Sequence, residues 1–279
     1  MAKLENINRK SSLAISFYLI LLLIFSIPGF AVLTKKRQLL FFFDKIDVNG
    51  AVDVFLKPGG RNEEAFIFAD SEVMNEIALN VRDRTLYIDA NNTFDISRRL
   101  PFLKLSAQRT FPVEIIIHSE RLSEIRLNGK GNITVSDIRT PKLSVHTTGS
   151  GRFYLENSSI DNLFIRQDGK GPLVLKGKEV SSLELIVTGD GPIWAQSLQV
   201  DRARVSHRGK NEVQLNPLKF LDSRILGQGN IILHQKPSNI VVTQKGSGKV
   251  VDVIPDTPEL YDYNVSRTQS PAKEAINKN

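Results

Sequence analysis

Asp168, Lys170 and Asp190 are the residues of this sequence best suited to chemistry. A glycan-cleaving site needs one carboxyl held protonated and a second ionised, and a nearby lysine suits an anionic substrate. A twenty-residue repeat places Asp168 and Asp190 on adjacent turns of chain, flanking one glycine bend, with Lys170 beside them. The alternative reading of the three is a salt-linked bend on an exposed edge, and it is favoured. Trp194, close to Pro192, has the same two readings: an aromatic face for a sugar ring, or an outward ring packed on its neighbours, again the favoured one.

Other chemistries fall away. The chain has no cysteine, which removes thiol nucleophiles, disulfide frameworks and zinc ribbons. His118, His146, His207 and His234 do not converge, since the repeat sets His146 and His207 about three turns apart, roughly 14 Å at ~4.8 Å per turn. Neither a metal centre nor a triad is expected, and no cofactor. The glycine bends resemble phosphate loops only superficially: neither G-x-G-x-x-G nor G-x-x-x-x-G-K-[ST] occurs, and no long helix follows them to hold a phosphate. A net charge of +7 is open to two readings, attraction to an anionic surface such as nucleic acid, lipopolysaccharide or phospholipid, or no such partner, and the second is favoured. Lys35-Lys36-Arg37 is the longest basic run, and the aromatics sit in apolar strands, so nucleic-acid binding is not expected.

The elements that carry these residues follow from a repeat. Gly-x-Gly recurs at Gly129 and Gly131, Gly149 and Gly151, Gly169 and Gly171, and Gly189 and Gly191, spaced by twenty residues. It continues as Gly209-Lys210-Asn211, then as Gly227 with Gly229, and last as Gly246 with Gly248. Four and six positions after the first glycine stand apolar pairs, Ile133/Val135, Phe153/Leu155, Leu173/Leu175, Ile193/Ala195, Val213/Leu215 and Ile231/Leu233. A second apolar pair precedes most bends, from Leu143/Val145 to Ile240/Val242. Period-two alternation means strands, and units this short bury their apolar faces only by stacking. The expected fold is all-β, a parallel β-helix or β-solenoid with rungs of about twenty residues. Glycine is expected at the bends because a positive φ suits it, with Asn211 as the tolerated substitute. The middle residues, Lys130, Ser150, Lys170, Asp190, Lys210, Gln228 and Ser247, form an outward column.

Residues 43–128 lack the glycine spacing and read as irregular first rungs and a cap, with one helix expected over Ser71–Asn80 behind an Asp70-Ser71 cap. Residues 129–253 form the regular rungs and 254–279 a polar tail. Within residues 1–37, positions 12–34 form an uncharged apolar run between Arg9-Lys10 and Lys35-Lys36-Arg37, long enough as a helix to cross a bilayer. A secretory signal with cleavage near Gly29-Phe30-Ala31 is the other reading, and the poor site followed by a basic triplet favours an uncleaved anchor. Both readings export the remainder.

FDKIDVNGAVDVFL, RTLYIDANN, PVEIIIHSERLSEIRLNGKGNITV and the Gly-x-Gly rungs together resemble the family "putative auto-transporter adhesin, head GIN domain", over about residues 43 to 250. The resemblance implies a bacterial envelope or secreted protein with a β-helical body, an adhesive role suggested by the family's name, and no catalytic residues to carry over. Three functions are therefore set against one another. The first is a non-enzymatic, exported binding protein for an envelope glycan, a surface component or another protein, held at the inner membrane and facing the periplasm, or periplasmic or at the cell surface if cleaved. The second is a polysaccharide-acting enzyme using Asp168, Asp190 and Lys170. The third is a structural envelope protein, whose solenoid is a spacer or self-associates end to end.

Overall fold

The computed structural model describes residues 33–253, apart from 60–62, 91–92, 96–107 and 120. The chain opens with β1 (Leu33–Leu39), β2 (Lys45–Gly50), β3 (Asp53–Lys57) and β4 (Glu64–Asp70). A single 3-10 turn at Met74–Glu76 leads into β5 (Ile77–Arg82), β6 (Thr85–Ala90), the pair β7 (Thr93–Asp95) and β8 (Gln108–Thr110), then β9 (Val113–His118). The repeating body runs through β10 (Glu124–Leu127), β11 (Ile133–Ser136), β12 (Arg139–Thr147), β13 (Phe153–Glu156), β14 (Ser159–Gln167), β15 (Leu173–Lys176) and β16 (Glu179–Val187). It ends in β17 (Ile193–His207), β18 (Val213–Ile225), β19 (Ile231–Leu233), β20 (Asn239–Gln244) and β21 (Val250–Asp252).

These strands coil into a parallel β-solenoid. β12 pairs with β14 and β14 with β16 at an offset of twenty residues, so that Leu143, Leu163 and Leu183 stack. β11, β13, β15 and β17 do the same on the other side of the coil, stacking Ile133, Phe153, Leu173 and Ile193. Stacking identical positions makes each side chain cover its own equivalent, and all seven of these residues are at most 1% exposed. The apolar pairs expected from the sequence are the interior, down to Leu233. Ile240 and Val242 are the exceptions. They face the interior column but stand 40% and 43% exposed, because no described strand lies beyond β20.

The first rungs are interleaved. β2 lies between β6 and β10, and β3 between β9 and β11, all parallel, so a rung later in sequence sits outside an earlier one. Beyond them the pairing turns antiparallel: β5 closes β6 on one side, and β4 with β1 closes β9 on the other. The helix expected over Ser71–Asn80 does not form. Asp70 does accept the Glu72 N–H, at 2.8 Å, but the turn stops at Glu76. The next residues alternate, with Ile77 and Leu79 buried and Ala78 and Asn80 exposed, and a two-residue bend at Asp83-Arg84 returns them against β6. Both bend residues have positive φ, 50° and 60°, the geometry that matches strand twist in a hairpin.

The apolar run at 12–34 lies outside the described residues except for its last two, Leu33 and Thr34, which belong to β1. The basic triplet is in that strand too: Lys35 sits 4.7 Å over the Phe66 ring and Arg37 pairs with Glu64 at 2.6 Å. Among the described residues no helix is long and apolar enough to cross a membrane.

Candidate functional site

The Gly-x-Gly bends owe their glycines to close approach, not to the backbone handedness expected from the sequence. Gly50 is the only glycine with positive φ among the described residues, at 95°. A Cβ on Gly151 would lie 1.8 Å from the Gly131 carbonyl oxygen, and one on Gly171 1.8 Å from that of Gly151. The bends stack backbone on backbone, with Gly151 N–H donating to Gly129 and Gly171 N–H to Gly149 at 3.1 and 3.2 Å. The column begins earlier than the glycine pattern announces: Gly129 and Gly131 rest on Gly50 and Val52, making Gly50-Ala51-Val52 the first bend.

Asn211 breaks the ladder. Among the described residues its N–H makes no bond to Gly189, and Lys210 N–H instead meets the Asp190 carboxylate at 3.4 Å. At this rung the Asp190 side chain takes a bend amide in place of a ladder carbonyl, while Gly209 stays close to the rung below, where a Cβ on it would lie 2.3 Å from the Gly189 carbonyl oxygen. Beyond Asn211 the ladder resumes with Gly229 and Gly248. Neither has the positive φ expected of it, and both are buried. A Cβ on Gly229 would meet the Asn211 carbonyl oxygen and the His207 ring nitrogen Nε2, both at 2.2 Å, and one on Gly248 the Gly229 carbonyl oxygen at 2.1 Å. Gly229 N–H donates to Gly209 at 3.0 Å and Gly248 N–H to Gly227 at 3.2 Å, so backbone stacking carries the column to its last bend.

Two interior side chains brace these bends. Gln167 donates from Nε2 to the Gly171 carbonyl at 2.8 Å, and His207 Nε2 meets the Asn211 carbonyl at the same distance. Both are fully buried, and burial pushes the His207 pKa down, against the opposing pull of the Asn211 carbonyl.

Asp168 and Asp190 fall in different columns. Asp190 shares the outward middle column with Lys170 and Lys210, all exposed. Asp168 stands in the column of Asn128, Thr148 and Thr188, whose side chains hydrogen-bond from rung to rung: Thr148 to Asn128 at 2.9 Å, and Thr188 to Asp168. Asp168 also meets Arg166 at 2.7 Å and His146 at 2.9 Å. Partial burial raises its pKa, but the bonds from Arg166, Thr188 and His146 together outweigh that and hold it at about 2. The cluster supplies an ionised, fully engaged carboxylate. It does not supply the protonated acid that glycoside cleavage requires. Elsewhere on this outer face, a concavity of about 730 Å³ is lined by Glu124, Lys142, Phe164 and Glu184. Its two carboxylates stand three rungs apart, roughly 14 Å at ~4.8 Å per rung, too far for a catalytic pair. No cluster of metal-ligating side chains exists among the described residues. His146 and His207 face opposite sides of the wall, one toward Asp168 and one into the core.

The feature missed in the sequence is a ridge on the other outer face. Phe55, Thr134, Tyr154, Val174, Trp194, Gln214, Ile232 and Val251 are in register across successive rungs, all pointing away from the core. From Tyr154 to Val251 all but Gln214 are aromatic or aliphatic, and each is half-buried or exposed. At its capped end the ridge runs into a separate apolar cluster of Phe55, Phe66, Phe68 and Ile116. The signal was present as the residue following each inward apolar position, but it is visible only once equivalent positions are read down the stack.

A second bend column was also missed. Asp137 and Asn157 adopt positive φ, 60° and 47°, and the Asn157 amide donates to the Asp137 carboxylate.

The family model described as "Putative auto-transporter adhesin, head GIN domain" matches residues 42–237. Among solved structures, a putative adhesin from Bacteroides fragilis is similar at a TM-score of 0.68 and 20% identity, covering 79% of this chain and 97% of its own. A putative adhesin from Parabacteroides distasonis is similar at 0.59 and 20%, covering 81% and 98%. So is a protein from the same organism described as a putative lipid binding protein, also at 0.59 and 20% with the same coverage. No curated protein matches the chain.

Proposed function

The chain belongs to the family "Putative auto-transporter adhesin, head GIN domain", and from that premise we propose that it is an exported, non-enzymatic binding protein. Its solenoid presents the ridge from Tyr154 to Val251 to a glycan of the bacterial envelope. The observation that carries this reading is the stacking of Tyr154, Val174 and Trp194 on consecutive rungs. Two aromatic rings are thereby held about 10 Å apart by the ~4.8 Å rung spacing, with a small aliphatic step between them. Aromatic faces fixed on a rigid sheet bind the apolar faces of sugar rings at little ordering cost, and Arg152 and Lys176 beside the ridge add exposed cations for acidic substituents. The apolar run before β1 supports export, and an uncleaved anchor would keep the solenoid at the membrane. The engaged state of Asp168 weighs against the enzymatic alternative.

Purified sacculi and envelope polysaccharides, titrated against the full chain, provide the test. Trp194→Ala should weaken binding about five- to thirtyfold, the equivalent of one stacking contact of about 1–2 kcal/mol. Equal binding by the two proteins, with matching melting curves, rejects the ridge.

A further inference from the structure

We propose that the corner between β1 and β2, which carries Leu39, Phe41 and Phe42, enters the headgroup zone of a lipid bilayer, so that the β1 end of the solenoid rests on the membrane. This placement rests on the anchored reading proposed above, in which the apolar run at 12–34 crosses that bilayer. Among the described residues Phe41 and Leu39 are the most exposed large apolar side chains, at 82% and 65%, and Phe42 beside them stands at 49%. The corner is bonded in place. Leu40 N–H donates to the Glu63 carbonyl at 2.9 Å, Phe43 N–H to the Glu63 carboxylate at 2.8 Å, and Asp44 N–H to the Arg84 carbonyl at 3.1 Å. Phe43 is fully buried and Leu40 packs on the core, so the chain turns inward on either side of Phe41 and Phe42. Apolar groups that a fixed corner leaves uncovered mark an interaction surface.

The surroundings and the position of the corner select a membrane as its occupant. The Arg84 guanidinium lies 5.3 Å from the centre of the Phe42 ring and pairs with Asp44 at 2.6 Å, and Arg37 pairs with Glu64 at 2.6 Å. The carboxylates of Asp44, Glu63 and Glu64 are therefore engaged, while Lys36 and Arg82 stand exposed, and Asp83 lies between Arg82 and Arg84. Glu72 and Glu76 follow the other end of the strand pair, since Leu39 stands opposite Glu64 and Leu33 opposite Asp70. Aromatic and leucine side chains among arginine and lysine suit the level of lipid headgroups, where rings enter and cations reach phosphates. β1 begins inside the uncharged run and pairs only with β4, so it is the outermost strand on its side of the coil. A membrane-crossing run brings this strand to the bilayer surface, with the corner roughly 20 Å along it from Leu33 at ~3.4 Å per residue. The unpaired edge of β1 needs water for its backbone groups, which limits the contact to the hydrated headgroup zone. Trp194 lies seven strand spacings from β1, roughly 34 Å at ~4.8 Å each, so the ridge is held clear of the bilayer.

The chain has no cysteine, so a single fluorophore can be placed on it. The full chain is labelled at Phe41→Cys or, for comparison, at Ser247→Cys on the last bend, and reconstituted in vesicles of phosphatidylethanolamine and phosphatidylglycerol. Flotation with the vesicles reads the anchor, and two quenchers read the corner. The chain should float, and the label at position 41 should be quenched by nitroxide-bearing lipids and several-fold less by aqueous iodide than the label at position 247, which should show the reverse. Leu39→Ser with Phe42→Ser should raise iodide quenching at position 41 toward that at 247, with the chain still floating. Iodide quenching at position 41 as strong as at 247 in the parent sequence means a solvated corner, and overturns the proposal while leaving the anchor intact. Protection from both quenchers means that protein covers the corner, either a second copy or this chain's own preceding segment, and overturns it equally. A chain that does not float overturns the anchored reading and this inference together. None of these outcomes depends on ligand binding at the ridge.

Discussion

At the scale of single residues, the bends show how a repeated residue type can be required by its neighbour's backbone instead of its own conformation. Gly171 has no unusual φ, yet a methyl group there would lie 1.8 Å from the Gly151 carbonyl oxygen, and main chain cannot swing aside as a side chain can. Gly171→Ala should therefore destabilise the protein by about 3 kcal/mol or more, beyond ordinary overpacking, because two rungs must separate. Gly59 is the control: among the described residues a Cβ there comes no closer than 3.7 Å, to the His118 side chain, so Gly59→Ala should change stability, read from the urea midpoint, by no more than about 0.5 kcal/mol. Asp168 makes a different kind of prediction. Its folded pKa of about 2 lies below the ordinary 3.8, so its stabilising contribution is complete above the ordinary value and is lost as pH falls through 2. Urea midpoints of the parent chain and Asp168→Asn should differ most at about pH 5 and converge as the pH is lowered toward the folded pKa. A constant gap would mean that Arg166, His146 and Thr188 do not hold the carboxylate ionised.

At the scale of elements, what the sequence discloses depends on whether a signal repeats locally. Leu143, Leu163 and Leu183 announce their strands because each rung restates the same alternation, and the stack follows from the offset alone. The Ser71–Asn80 segment offered a cap and an apolar spacing compatible with either period. Its outcome was decided by Thr85–Ala90, to which the Asp83-Arg84 bend returns it, a tertiary partner that no local reading of residues 71–80 contains. The interleaving of β2 and β3 among later strands was illegible for the same reason: it is a choice of distant partners. Asp168 and Asp190 looked paired because the spacing brings them near in sequence phase, while their columns are distinct and their partners differ. Gly229 and Gly248 were legible as members of the repeat, but the reason for them was not, since it lies in the carbonyls of Asn211 and Gly229 one rung below each. The Asp137 and Asn157 bend lay open to notice as two Asx residues twenty apart. Left-handed backbone costs about 1–2 kcal/mol for a residue with an ordinary side chain, and Asn is among the few that tolerate it. Asn157→Ala should accordingly lower stability by about 1 kcal/mol or more, and Asn157→Gly by clearly less, since glycine adopts this backbone freely. Thermal melts of the pair provide the check, and equal losses would assign the cost to the Asn157–Asp137 bond instead of to the backbone.

At the scale of the whole molecule, a solenoid of equivalent rungs makes stability a sum of neighbour contacts, so its length is adjustable in whole periods. Residues 153–172 constitute one such period: Phe153 stacks between Ile133 and Leu173, and Leu163 between Leu143 and Leu183. Removing them joins Arg152 to Leu173, the residue in the same phase as Phe153, so the inward positions of β15 and β16 meet those of β11 and β12, apolar except where Val180 and Val187 meet Thr140 and Thr147. The bends remain compatible, because Gly169 and Gly171 leave with their rung and Gly189 and Gly191 then rest on Gly149 and Gly151. The Asp168 cluster is lost with that rung, as is Tyr154 from the ridge, while Trp194 stays. The shortened chain should keep its strand signature in circular dichroism and a single cooperative melt, at a somewhat lower temperature, with ridge binding weakened by the loss of one aromatic step. Removing only residues 153–162, half a period, breaks the phase and puts β14 residues in the place of β13, against β11, so it should abolish the cooperative melt altogether. If both deletions behaved alike, the rungs would not be independent units, and a ridge defined by rung equivalence would lose its basis.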